Sequence, residues 1–175
     1  TRLNHLVSVI EDDIKKDLYL GADILVARKG KIALHKQMGF SSADKSQAIT
    51  KESIFSLFSL TKAFTNALVF KAIDNGQFSL TTRVCDVVPE FKGGLREKIN
   101  VKDLLTHSAG LPSVFTPQPG MYLDVFDDML KAVCQNIHCV ANIGDEVAYS
   151  PLVHHVLMGA MIRATDPKKR SLRDI

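Results

Sequence analysis

Phe55-Ser56-Leu57-Phe58-Ser59-Leu60-Thr61-Lys62, continued by Ala63-Phe64-Thr65-Asn66-Ala67-Leu68-Val69-Phe70-Lys71-Ala72-Ile73-Asp74-Asn75-Gly76, is the stretch on which the fold turns. Its first half is apolar and interrupted by hydroxyls, a strand-like run. Its second half carries Ala63, Phe64, Ala67, Leu68, Phe70 and Ile73 at helical spacing, with Gly76 placed as a stop just past the last turn. Ser59 therefore sits where the run gives way to a helix, and Lys62 lies one turn further along. A serine three residues before a lysine puts hydroxyl and amine on one helix face. A lysine-activated serine nucleophile needs that geometry. The same residues also fit an ordinary helix start, with Ser59 as a cap and Lys62 as a solvated first-turn cation. S-x-x-K is too short to separate the two.

At 175 residues the chain suits one domain and is long enough to bury a core. Hydrophobic residues at 46% and charged residues at 23% describe a globular protein, not a disordered one. A net charge of +3 is too small to point to nucleic acid, and the basic residues are scattered except at the end. No apolar run approaches the roughly 20 residues of a membrane span, so no membrane partner is expected. The start, Thr1-Arg2-Leu3-Asn4, has neither an initiator Met nor a signal-peptide apolar segment and reads as processed. Cys85, Cys134 and Cys139 have no metal-like spacing. Their odd number points to buried free thiols in a reducing, cytoplasmic setting.

On the N-terminal side, Leu3, Leu6, Val7, Ile10 and Ile14 form a helical stripe over Arg2–Lys16. Ala22–Ala27 and Lys31–His35 read as two strands joined by Arg28-Lys29-Gly30, a hairpin turn with glycine supplying positive φ. On the C-terminal side, Leu80–Pro89 is a short piece ended by proline, and Val101–Thr106 is a brief helix capped by Asn100. His107–Pro112 is a tight loop, and Met121–Ile137 returns to helical spacing. Ser150 as N-cap with Pro151 at the first helical position starts an apolar helix over Leu152–Ala164. Asp166–Ile175, with Lys168, Lys169, Arg170 and Arg173, reads as a solvated end. His154 and His155 open the last helix without a further ligand set, so they read as core or surface histidines.

Three motifs gain force in combination: Ser59-Leu60-Thr61-Lys62, then Leu104-Leu105-Thr106-His107-Ser108-Ala109-Gly110-Leu111-Pro112, then Tyr149-Ser150 before a buried helix. In this order they resemble the serine β-lactamase and penicillin-binding-protein superfamily, and within it the class C-like esterases, transesterases and D-amino peptidases. The likeness runs over essentially the whole chain. It implies an α/β fold in which an antiparallel sheet flanked by helices is combined with a mainly helical region over about 82–147. Residues 1–175 would be the N-terminal portion of one catalytic domain.

The resemblance implies that Ser59 attacks a carbonyl to form an acyl-enzyme and that Lys62 accepts or relays its proton. Tyr149, which alone reads as a packed aromatic, would work with Lys62 in proton transfer to the leaving group. The Ser59 backbone N–H would be one oxyanion donor. No metal or organic cofactor is implied. Two features depart from the pattern. Pro151 stands where the family has Asn, which removes a carboxamide that could hydrogen-bond a substrate amide. The third motif, Lys-Thr-Gly or His-x-Gly on a strand lining the site, does not occur before Ile175. That strand and the second oxyanion donor are expected from a C-terminal half of the fold, on the same or another chain. The expected activity is hydrolysis or transfer of an acyl group from a small-molecule ester or thioester, an acyl-carrier donor included. A β-lactamase or D-alanyl peptidase, and a catalytically inactive binding or scaffold protein, are the alternatives.

Overall fold

Lys29 and Gly30 turn the chain between two strands of the computed structural model, which describes residues 2–175. Both have positive φ, 50° and 73°, the backbone of a type I′ hairpin turn. The strands β1 (Gly21–Arg28) and β2 (Lys31–Gly39) pair antiparallel, with Leu25 opposite His35 and an irregularity between Val26 and Ala27. β2 continues past His35, where the alternation predicted its end, because Gly21–Asp23 offers partners as far as Gly39. The helix α1 (Arg2–Lys15) packs on β2, and Lys36 Nζ reaches Glu11 at 2.9 Å. These elements lie in the first of two units, which ends at Ser56. The second is Leu57–Ile175.

The strand-like run, where the first unit gives way to the second along the sequence, is no strand. Among the described residues Phe55–Leu57 has no partner strand, and Phe58 takes φ 46°, which breaks the extended backbone. A 3-10 turn (Phe58–Leu60) leads directly into α2 (Thr61–Asp74). The predicted stop holds: Gly76 (φ 72°) donates to Ile73 O at 2.9 Å and Gln77 to Ala72 O at 3.0 Å, which is a Schellman motif. α2 buries Val69 and Ala72, while Leu60, Phe64 and Phe70 remain exposed.

Short helices follow. α3 (Val84–Val87) precedes α4 (Val101–Leu105), whose start is a reciprocal capping box. Asn100 Oδ1 accepts from Asp103 N at 3.1 Å, and Asp103 Oδ2 accepts from Asn100 N at 3.0 Å. α5 (Phe126–Asn136) begins later than Met121, where its spacing predicted a start. Asp127 and Asp128 fall in its first turn, where carboxylates favour a helix N-terminus.

The central helix is α6 (Val153–Thr165), which packs against α2, α3, α4 and α5 and is buried from Val153 to Ile162 except at His155. Phe91, Ile99, Leu104, Leu111, Leu157, Met158 and Met161 fill the core with it. Its start corrects the expectation. Ser150 is not the N-cap; Leu152 is, because the Pro151 carbonyl turns outward to Lys62 instead of opening the helix. Ser150 Oγ nevertheless accepts from His154 N at 3.2 Å, so its hydroxyl still satisfies a first-turn donor.

Buried Arg96 ties the loop before it to the C-terminal end of α5. Its guanidinium lies over the Phe91 ring at 5.2 Å and donates to Cys134 O at 2.8 Å, to Ile137 O at 3.1 Å and to Lys92 O. The basic end is not simply solvated either. Asp166 is 6% exposed and is gripped by Arg170 at 2.8 Å, and Leu172 and Ile175 pack against the core. Those hydrogen bonds hold the Asp166 carboxyl at about 2. The three cysteines are free; burial pushes the Cys134 and Cys139 thiols up. Among the described residues no helix is long and apolar enough to cross a membrane.

Candidate active site

The sharp turn at Phe58 sets Ser59 at the mouth of α2, one turn before half-buried Lys62. A left-handed backbone at a bulky residue costs about 1–2 kcal/mol. This strain lies immediately before the serine. Ser59 Oγ is 2.8 Å from Tyr149 Oη, and Lys62 Nζ donates to Ser59 Oγ at 3.3 Å. Ser59 is thus within hydrogen-bond reach of both other residues singled out in the sequence, Lys62 and, 90 positions further along the chain, Tyr149. An ammonium has no acceptor, so Ser59 receives Lys62 at a lone pair, and its own proton is free to go to the Tyr149 oxygen, the direction that an ionised phenol requires. The hydrogen bond from Ser59, followed by Lys62, draws the Tyr149 phenol below its usual range.

Lys62 makes a second, shorter contact, to the Pro151 carbonyl at 2.8 Å. The proline lacks a side-chain amide, yet its backbone orients the amine. Sequence reasoning could not have found this, because a carbonyl carries no residue-type signal.

Tyr149 is held by the His107–Pro112 loop. His107, at φ 57°, accepts from Ala148 N at 2.9 Å through its carbonyl and from Ser150 N at 3.0 Å through Nδ1. Ser108 O accepts from Gly144 N at 2.9 Å, and Gly110 O accepts from Val140 N at 2.9 Å and Ala141 N at 3.3 Å. Gly110 has φ 66°, and a Cβ there would collide with the Ala141 carbonyl oxygen. Only glycine allows this approach. Ser113 Oγ completes the clamp by donating to Tyr149 O at 2.7 Å. His107, Ser108 and Gly110 thus all bear on the segment that carries Tyr149. His107 and Ser113 were missed as positioning residues, since their partners lie some 40 positions away at 150 and 149.

Three imidazoles back the site. The His107 ring stacks on His154 at 4.9 Å and lies 5.1 Å from the Tyr149 ring, with His155 at 6.1 Å. His154 Nδ1 donates to Leu104 O at 3.1 Å, since a carbonyl can only accept, and burial followed by His107 brings its imidazole down to about 3. Burial, then Lys62, brings His155 to about 4, and burial with Lys62 also lowers His107. All three are neutral at pH 7. Among the described residues no cluster of His, Cys, Asp or Glu is placed to hold a metal. A cleft of about 300 Å³ beside Lys62 is walled by Phe58, Phe126, Leu152, His155 and Val156.

This fold and this constellation define the class, and the sequence match agrees: the chain belongs to the Beta-lactamase family, whose model matches residues 6–175. Protein flp of Staphylococcus aureus (strain NCTC 8325 / PS 47) is 34% identical over 147 residues, covering 82% of this chain and 28% of the relative. Esterase EstB of Burkholderia gladioli is 26% identical over 110 residues, covering 61% of this chain and 28% of the relative. The solved structure of EstCE1, described as a hydrolase with promiscuous acyltransferase activity, superposes with a TM-score of 0.83 at 19% identity. That superposition covers 98% of this chain and 48% of the solved one. The β-lactamase/transpeptidase-like fold expected from the sequence is therefore present. The chain spans 28% of the length of the curated relatives it matches and about half that of the solved chain.

Proposed function

We propose that these residues carry the nucleophile of a serine hydrolase or acyltransferase acting on an ester or thioester. The observation that carries this reading is the Lys62–Ser59–Tyr149 arrangement, with Ser59 Oγ 2.8 Å from Tyr149 Oη and 3.3 Å from Lys62 Nζ. Ser59 Oγ attacks the acyl carbon as its proton passes to the Tyr149 phenolate, the ionised form that the Ser59 hydrogen bond and Lys62 favour, and the new ester forms at Ser59. The bond to the alcohol or thiol then breaks, and the leaving group takes that proton from Tyr149. Water or an acceptor alcohol reverses the sequence and frees Ser59. Lys62, steered by the Pro151 carbonyl, supplies positive charge beside the serine and phenol oxygens throughout. The Ser59 N–H, in the first turn of the helical run, is one donor to the developing oxyanion.

An ester or thioester is favoured over an amide by Pro151. Its carbonyl is occupied by Lys62, and no side-chain amide is available at that position to hold a substrate amide. EstB and EstCE1 are named for ester hydrolysis and for hydrolysis with acyl transfer, which supports the same substrate class. In this reading the second oxyanion donor comes from the remaining half of the fold, on the same polypeptide or another. Leu60, just before α2, and Phe64 and Phe70 on it are exposed apolar side chains that such a half would cover.

Intact-mass spectrometry after incubation with a fluorophosphonate tests the reading. A single adduct that disappears in Ser59→Ala is expected. An adduct that survives the substitution would refute Ser59 as nucleophile, and no adduct in either protein would mean that the site is incomplete without the second oxyanion donor.

A further inference from the structure

Two turns beyond His155 along α6, a second cavity opens that shares no wall residue with the cleft beside Lys62. It is a groove of about 840 Å³ between the end of α3, one face of α5 and the C-terminal half of α6. Its size falls in the range of about 300–1,000 Å³ typical of small-molecule sites. The floor is apolar, built from Val88, Leu130, Cys134 and Ala160. The rim is basic: Lys131, Arg163, Lys169 and Arg170 against Glu90 and Asp127, four cations less two carboxylates, or +2.

The cations are not equivalent. Arg163 is already paired with Asp127 at 2.6 Å and lies over Phe126 at 4.8 Å, and Arg170 is engaged with Asp166 at 2.8 Å. Lys131 and Lys169 make no ion pair among the described residues. Two exposed, unpaired ammonium groups above an apolar floor complement a ligand with one hydrated negative charge and a hydrocarbon body. The guanidinium forks that suit a phosphate are already committed to carboxylates of the chain itself. A monovalent carboxylate matches what is left.

We propose that this groove is a binding site for amphipathic carboxylates, with the head at Lys131 and Lys169 and the acyl chain along Val88, Leu130, Cys134 and Ala160. Apolar burial supplies most of the affinity, and the lysines select the anion. The site is independent of the chemistry assigned to Ser59.

The test is a titration of methyl-labelled protein with decanoate, followed by NMR. Saturable shifts are expected at Val88 and Leu130, with Leu152 beside Lys62 unmoved. Decanoate should bind roughly tenfold more tightly than octanoate, given two fewer methylenes on the latter. Reversing both charges in Lys131→Glu/Lys169→Glu should weaken it about tenfold, as expected for two exposed pairs turned from attraction to repulsion, and higher salt should weaken it too. Ser59→Ala should bind decanoate as the parent chain does. Any of four results overturns the proposal: no saturable shift, shifts centred on Leu152, equal binding of decanol, or an affinity indifferent to the charge reversal.

Discussion

Replacing Gly110 by alanine places a methyl group against the Ala141 carbonyl, and two costs and one partial offset follow. The left-handed backbone at φ 66° disfavours an L side chain by about 1–2 kcal/mol. Alanine returns roughly 0.4–1 kcal/mol by restricting the unfolded chain. The added Cβ would also lie 3.0 Å from Ala141 C and 3.2 Å from Asn142 O, so residues 140–142 must move away. That motion breaks the bonds from Val140 N and Ala141 N to Gly110 O, at about 1 kcal/mol each. The sum is about 3 kcal/mol, a large part of the roughly 5–15 kcal/mol that holds a domain together. Gly76→Ala is the matched control, with φ 72° and nothing within 4 Å of its added Cβ, and should cost only about 1 kcal/mol. In urea unfolding followed by far-UV circular dichroism, a slope near 2 kcal/mol/M converts these costs to midpoint losses of about 1.5 M and 0.5 M. The displaced segment carries Tyr149, so fluorophosphonate labelling of Ser59 should also fall in folded Gly110→Ala and not in Gly76→Ala. Equal midpoint losses for the two variants would refute the claim that the loop clamps the 140–150 segment.

Other predictions bear on the site and on the core. Tyr149→Phe removes the oxygen 2.8 Å from Ser59 Oγ and should slow fluorophosphonate labelling about 100-fold, with little change in urea midpoint. Its parent rate should rise toward alkaline pH with a midpoint below that of free tyrosine, because the phenol is lowered. His154 is buried and neutral with its imidazole at about 3, while the unfolded chain protonates it near 6.5. Between those values the unfolded state binds the extra proton, so stability is complete above about pH 7 and falls as the pH is lowered. The loss is about 2 kcal/mol by pH 5, and His154→Asn should flatten that slope in pH-dependent urea titrations. Arg96→Met strands the Cys134, Ile137 and Lys92 carbonyls and should cost about 3 kcal/mol, with Arg96→Lys recovering less than half, because an ammonium cannot reproduce the planar fork. Differential scanning calorimetry of the two variants would measure this.

Local chemistry, read in one dimension, determined much of this protein. Hydrophobic period placed α1, α2 and α6, and Gly76 marked the end of α2 because only a left-handed residue closes a Schellman motif. Asn100 marked the start of α4 because its side chain can replace a missing backbone acceptor. The three motifs brought the family and the trio Ser59, Lys62 and Tyr149 into view. Errors arose where long-range contacts overrode local preference. Phe55–Leu57 looked like a strand, but a strand exists only with a partner. Ser150 and Pro151 had the chemistry of a helix start, but the Pro151 carbonyl turns to Lys62 and moves the start to Val153. Asp166 and Arg170 looked solvated until packing buried the carboxylate. The tertiary structure alone decided that His107 and Ser113 hold Tyr149, that a proline carbonyl steers the lysine, and that a basic-rimmed groove lies further along α6. Each of these depends on atoms distant in sequence or on backbone groups common to every residue, so no pattern of side chains along the chain can encode them.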